Sequence, residues 1–249
     1  MFVDTHCHLY RSYYEDLDDV IEQIKQSEIY RVINNGCDKN TNIEVLDTVN
    51  KYDNVYGAIG IHPENANEYT REDLEFVEEH ISDNKIIAIG EIGLDYYWVK
   101  DNKDKQKELF EVQLKLAEKY DVPVIVHSRE ATQDTIDILK KYKVKGIIHS
   151  FSGSYEVAQI YIKMGFLLGI NGVITFKNCN LKDVIEKIEV SNIVLETDSP
   201  YLTPVPNRGK RNDPTKVMDI AKFIAEIKGI SLEDLSKEIN GNLSKVFDF

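Results

Sequence analysis

Eight short apolar runs, spaced along the chain with amphipathic stretches between them, constrain this sequence more than any other feature. They are Phe2–Thr5, Arg31–Asn35, Val55–Ile61, Ile86–Glu91, Val124–His127, Gly146–His149, Phe166–Ile170 and Ile193–Glu196. Most are unbroken rather than alternating, as parallel strands covered on both faces require. Between them, Tyr14–Ser27 sets Leu17, Val20, Ile21 and Ile24 along one helical stripe. Asp104–Tyr120, Ala131–Tyr142, Tyr155–Met164, Leu181–Ile188, Thr215–Lys228 and Leu232–Val246 follow the same period. Ser231 with Asp234 predicts an N-cap for the last of these, and Gly165 and Gly229 stand where helices stop. Eight strands alternating with helices predict an α/β chain folded as a (β/α)8 TIM barrel. A doubly wound open sheet would be supported by a glycine-rich dinucleotide fingerprint, and Gly60, Gly90, Gly93, Gly169 and Gly172 never assemble into one. The 249 residues match one barrel. A single domain over 1–249 is therefore expected, with Pro200–Pro214 as a long loop after the last strand.

An apolar content of 42% and a charged content of 29% are those of an ordinary soluble globular protein. No apolar run approaches the roughly 20 residues that cross a bilayer, and no basic-then-apolar leader opens the chain, so no membrane association is expected. Three scattered cysteines, Cys7, Cys37 and Cys179, are too few for a disulfide framework and point to the cytoplasm. The net charge of −13 repels nucleic acid at long range. Any nucleic-acid role must rest on a local basic or metal-centred site.

The polar residues that end the strands form a pattern. Strand one ends in His6 and His8, which alternation places on the same face. Strand three runs into His62, strand four into Glu91, strand five into His127 and Arg129, strand six into His149, and strand eight into Glu196 and Asp198. Five of the six histidines lie at such C-terminal ends; His80 alone does not. In a barrel these ends converge on one face, where active sites sit. His6, His8, Glu91, His127, His149 and Asp198 offer four imidazoles and two carboxylates, more than one four-coordinate ion uses when a position stays open for water. Two ions sharing a bridge fit the set: His6, His8 and Asp198 on one, His127 and His149 on the other, and Glu91 between.

The phrases VDTHCHL, GIHP, GEIGLDY, PVIVHSR, HSFSG and ETDSPYLTPVPNRGKRN, in this order from residue 3 to the C-terminal region, resemble the TatD family of metal-dependent hydrolases in the amidohydrolase superfamily. The resemblance implies a TIM barrel with one or two divalent ions and deoxyribonuclease activity, including 3′ to 5′ exonuclease action. It places the metal ligands at His6, His8, Glu91, His127, His149 and Asp198. The expected partner is DNA, in single strands or at 3′ ends. The resemblance points to Mg, whereas an imidazole-rich site suits Mn or Zn better.

The expected reaction is phosphodiester hydrolysis by metal-activated water, with Asp198 as proton acceptor and Glu91 as the bridge. His62 either hydrogen-bonds the phosphate or packs in its turn. Arg129 points to the side of His127 and can grip a phosphate through two bonds; Arg208 and Lys210 belong to the one dense basic cluster, 207–211. Tyr96, Tyr97, Trp98 and Phe151 are candidates for stacking on bases. Two alternatives compete. One is an ester- or amide-cleaving amidohydrolase such as an aminoacyl-tRNA deacylase. The other is a metal-binding or nucleic-acid-binding scaffold without turnover, which the presence of both Glu91 and Asp198 argues against.

Overall fold

An unbroken apolar strand is satisfied only between two covered faces, and each of the eight runs reaches that position. The computed structural model describes residues 1–247; the end of the expected domain, Asp248 and Phe249, lies outside the described residues. Among the described residues the strands are β1 (Phe2–Cys7), β2 (Ile29–Asn35), β3 (Val55–Ile59), β4 (Ile86–Asp95), β5 (Val124–Arg129), β6 (Gly146–Ile148), β7 (Leu167–Ile170) and β8 (Ile193–Leu195). They pair in chain order, each parallel to the next, in register pairs such as Ile33 with Tyr56, Ile59 with Ile89, and Ile147 with Leu167. This is the (β/α)8 barrel that the sequence predicts.

The residues around β1 and β8 close the ring. Beyond β8 the chain runs beside β1: the Asp198 N–H donates to the His6 carbonyl at 2.9 Å, and the His8 N–H donates to the Ser199 carbonyl at 2.8 Å. Beneath them, buried Asp4 accepts from the backbone N–H of Thr197 at 2.8 Å and from its hydroxyl at 2.5 Å. Three residues expected to act together are thus fixed side by side by the bonds that complete the barrel.

The outer helices are α1 (Leu17–Gln26), α2 (Lys39–Lys51), α3 (Arg71–His80), α4 (Lys103–Tyr120), α5 (Thr132–Leu139), α6 (Tyr155–Lys163), α7 (Leu181–Lys187), α8 (Val217–Lys228) and α9 (Leu232–Val246). Ser231 caps α9 by accepting from the Asp234 N–H at 3.0 Å, and Gly229 ends α8 at a left-handed φ of 61°. The periodicity reading omitted α2 and α3. α2 buries Asn42 and Thr48 beside Val45 and Val49, and α3 buries only Val77, so neither carries an apolar stripe. Both instead announce themselves through capping boxes, Asp38 with Thr41 and Thr70 with Asp73. β4 runs four residues past Glu91 to Asp95, carrying its polar end across the rim.

Buried carboxamides tie down the loops above the strands. Asn34 accepts from the Leu9 N–H at 2.8 Å. Asn42 of α2 accepts from the Gly60 N–H at 3.1 Å and donates to its carbonyl at 2.9 Å. Gln113 of α4 does the same for Ile61, at 2.8 and 3.0 Å. Gln106, two turns earlier on α4, does so for Asp95, at 2.8 Å each way. Each amide satisfies a buried donor and acceptor that the sheet ladder no longer reaches.

Candidate metal centre

His6, on β1, and His8, one residue past it, present their Nε2 atoms 3.3 Å apart. Two neutral imidazoles cannot both donate across that gap. Two nitrogens each about 2.1 Å from one tetrahedral ion would stand roughly 3.4 Å apart, so the spacing is that of two ligands on one cation. Both Nε2 atoms face Asp198 Oδ1, at 3.8 Å from His6 and 3.5 Å from His8. His149 Nε2 faces the same oxygen at 3.6 Å.

Glu91 stands in the middle, and its two oxygens divide the cluster. Oε2 lies 3.3 Å from His6 Nε2 and 3.8 Å from His8 Nε2. Oε1 lies 2.8 Å from His127 Nδ1 and 3.8 Å from His149 Nε2, with His62 Nε2 at 3.7 Å. All six residues expected to hold metal therefore meet at one rim, and the carboxylate expected between two ions has one oxygen toward each group. His62 is part of this assembly rather than of its turn alone. Its Nδ1 accepts from the Glu64 N–H at 3.3 Å, which leaves the proton of the neutral ring on Nε2, facing Glu91.

Three of the histidines are held from behind, as ligand histidines are, whereas His6 Nδ1 is buried without a partner among the described residues. His8 Nδ1 is 3.0 Å from the Asn35 carbonyl. His127 Nε2 meets Asp95 Oδ2 at 2.9 Å, and His149 Nδ1 meets Glu196 Oε1 at 3.0 Å. Asp95 and Glu196 were given no role from the sequence, although both lie in strand-end segments that it marked. Glu196 also accepts from the Ser150 N–H at 2.6 Å. Its carboxylate occupies the space beside Gly169, where a Cβ would come within 2.2 Å of Oε2. Gly93 has a comparable role: at φ 142°, a Cβ there would meet the His127 carbonyl at 2.0 Å, so only glycine lets β4 run this close to the ligand strand. Cys37 was also missed; its Sγ lies 4.0 Å from Glu91 Oε2, and His8, Cys37 and Glu91 offer donor atoms within 4.8 Å of one another.

Burial and charge sort the protons. Glu91 is pushed well below the usual carboxylate range: burial opposes this, and the charges of His149, His6, His62 and His127 outweigh it. Asp198 is lowered in the same way, burial opposing and His8, His149 and His6 prevailing. His127 is raised to about 9 because Asp95 and Glu91 overcome burial. His149 is also raised to about 9, with Glu196 and Glu91 overcoming burial. His6 stacks on His149 with ring centres 3.5 Å apart and is lowered, by burial first and then by that neighbour. His62 is lowered to about 3, chiefly by burial.

The expected substrate contacts are placed less centrally. The Arg129 guanidinium carbon lies over Tyr97, 4.1 Å from its ring centre. Arg208 covers Phe176 at 4.3 Å, and Lys210 is exposed on the same loop; neither is drawn into the cluster. Arg211 is taken up by Asp16 at 2.8 Å. Tyr96 and Phe151 do not offer stacking faces, because both are buried, and the Tyr96 hydroxyl donates to Asp134 at 2.7 Å.

A parallel barrel whose strand ends converge on histidines and carboxylates, each histidine presenting a nitrogen to a shared centre, defines a metal-dependent hydrolase. The chain belongs to the TatD related DNase family, whose model matches residues 3–248. It is 42% identical over 252 residues to the uncharacterized metal-dependent hydrolase YabD of Bacillus subtilis, covering 99% of each chain. It is 35% identical over 254 residues to the uncharacterized metal-dependent hydrolase YcfH of Escherichia coli, covering 98% of this chain and 95% of the other. Among solved structures, the TatD homologue YJJV of Escherichia coli superposes with a TM-score of 0.93 at 28% identity, over 100% of this chain and 98% of that one. The donor set and its spacing suit a divalent cation. Among the described residues, no helix is long and apolar enough to cross a membrane.

Proposed function

We propose that this protein is a cytoplasmic deoxyribonuclease that hydrolyses phosphodiester bonds in single-stranded DNA or at 3′ ends, using one or two divalent ions (Mg, Mn or Zn), and that residues 1–249 act as one catalytic domain. The observation that carries the reading is the convergence of His6, His8 and His149 through Nε2, and of His127 through Nδ1, on the paired carboxylates Glu91 and Asp198. His6, His8 and Asp198 would hold one ion, His127 and His149 the other, and Glu91 both. A bound divalent ion lowers the pKa of water and neutralises charge on a phosphoryl group.

Asp198 is the proton acceptor. Its carboxylate, lowered and so ionised at neutral pH, is the more open of the two acids, with 15% of its side chain exposed against 5% for Glu91. Its backbone, at φ 56°, is anchored by the bonds that close the barrel. Neutral His62 carries its proton on the side facing the cluster and donates to a non-bridging phosphate oxygen. Arg129 is exposed, its guanidinium carbon 4.1 Å from the Tyr97 ring centre, and a planar guanidinium can bind a phosphate through two N–H groups. Arg208 and Lys210 face the trailing strand.

The test is degradation of 3′-labelled single-stranded DNA by metal-loaded protein, with chelator, and by Asp198→Asn. Release of the 3′-terminal label as a mononucleotide, stopping in both controls, supports the reading. Cleavage that continues in chelator, or no cleavage with Mg, Mn or Zn, overturns it.

A further inference from the structure

Among the described residues, four aromatic side chains are strongly exposed: Tyr13, Tyr97, Trp98 and Tyr201, at 38, 41, 62 and 49%. They form two pairs, and both pairs stand on the rim. Tyr97 and Trp98 follow β4. Their backbone N–H groups both donate to Asp95 Oδ1, at 2.8 and 2.9 Å, and the other oxygen of Asp95 meets His127. Their rings meet edge to face at 4.8 Å, with the Arg129 guanidinium over both, 4.1 and 5.3 Å from the ring centres. Tyr201 follows β8. Its N–H donates to the Asp198 carbonyl at 2.9 Å, its hydroxyl bonds that of Tyr13 at 2.8 Å, and its ring centre lies 6.4 Å from that of His8. β4 and β8 are four places apart in a ring of eight, so the pairs stand on opposite sides of the rim.

We propose that the two pairs are base-stacking subsites, one on each side of the scissile phosphate, so that the enzyme selects a strand with a planar base on both sides of the bond it cuts. The inference rests on the phosphodiesterase reading above and adds what holds the substrate there. Exposed flat aromatics with a stacked guanidinium are the surfaces on which unpaired bases rest. Charge makes such a surface necessary here: a chain of net charge −13 does not gather a polyanion by general attraction, so affinity must come from stacking and a few fixed cations. Bases paired and stacked in a duplex cannot spread to opposite platforms.

Trp98 is the single tryptophan of the chain, so its fluorescence reports one platform directly. The probes are a short oligothymidylate and an abasic deoxyribose-phosphate chain of equal length, added to metal-loaded Asp198→Asn protein so that binding is read without turnover. Quenching by the oligothymidylate and not by the abasic chain is expected. In this binding assay, followed by labelled oligonucleotide when Trp98 is replaced, Tyr97→Ala with Trp98→Ala, and separately Tyr13→Ala with Tyr201→Ala, should weaken affinity about 5- to 150-fold, the range measured for one stacked base. In the otherwise native enzyme the same substitutions should raise KM more than they lower kcat. Trp98→Phe and Tyr201→Phe, which keep a ring, should restore binding, and unchanged melting temperatures would exclude a merely structural effect. Equal affinity for the two probes, or alanine variants that bind as the parent does, would overturn the subsites while leaving the nuclease reading intact. Base-dependent binding by a protein that cuts no oligonucleotide with any of the three metals would support the subsites and sink the nuclease reading.

Discussion

His127 and His149 each set one ring nitrogen against a carboxylate behind them and turn the other toward Glu91. With both raised to about 9, both rings hold an extra proton at pH 7.5 until a cation displaces it. His8 is raised as well, Cys37 and Asp198 overcoming its burial, so loading the metal-free protein with Zn at pH 7.5 should release up to about three protons per chain, roughly the number of these rings that become ligands. Calorimetry in buffers of different ionisation enthalpy measures this, and the share from His127 and His149 should fall away as pH rises through about 9. The sign for stability follows from linkage. A histidine pKa raised on folding stabilises the metal-free fold fully below its ordinary value near 6.5, and that contribution is lost as pH rises through about 9. The lowered Glu91 and Asp198 act oppositely, their contribution present above the ordinary carboxylate range and lost on acidification. Glu196→Gln removes the charge behind His149 while keeping its shape, and metal affinity should fall about 10- to 100-fold. Metal titration of the variant beside the parent checks this.

At the scale of elements, α4 does more than cover the sheet. Gln106 and Gln113 are seven residues apart, on one helix face, and both are fully buried. Their amides hold Asp95 and Ile61, the residues from which the His127 partner and His62 depend. Gln106→Leu strips the Asp95 N–H and carbonyl of partners in a dry site. It should cost about 1–3 kcal/mol of stability, lower the urea midpoint, and speed hydrogen exchange at the Asp95 amide. Loss of stability without faster exchange there would mean that α4 merely packs. Such glutamines were illegible beforehand: along the chain they look like the solvated face of an amphipathic helix, and only the partner shows them to be inside. α2 and α3 escaped periodicity for the related reason that polar or few residues face inward from them, whereas their capping boxes were there to be read.

For the whole molecule, the ring closes through His6, His8, Thr197, Asp198 and Ser199, so the centre and the barrel seam are one structure. A cation bound there should tighten the entire fold. At a free concentration 100 times its Kd, a ligand that binds only the native state adds about 2.7 kcal/mol. For a chain of this size that is roughly 5–10 °C in Tm. Calorimetric scans with Zn or Mn, reversed by chelator, measure it. A seam that gains nothing from metal would separate the site from the stability of the barrel.

The order of the eight strands, and the identity of the histidines and carboxylates that end six of them, were set by the sequence. Strands buried on both faces demand unbroken apolar runs, and a barrel brings every C-terminal end to one rim. The family likeness in the motifs from VDTHCHL to ETDSPYLTPVPNRGKRN was equally plain in the letters. Tertiary structure alone decided which nitrogen of each imidazole faces the centre, that Asp95 and Glu196 stand behind His127 and His149, that Cys37 lies beside Glu91, and that Tyr13 meets Tyr201 on the rim. These facts depend on side chains far apart in the chain, as Tyr13 and Tyr201, 188 residues apart, are. Local periodicity carries the direction of a side chain from its own element, and the partner it meets there is supplied only by closure of the fold.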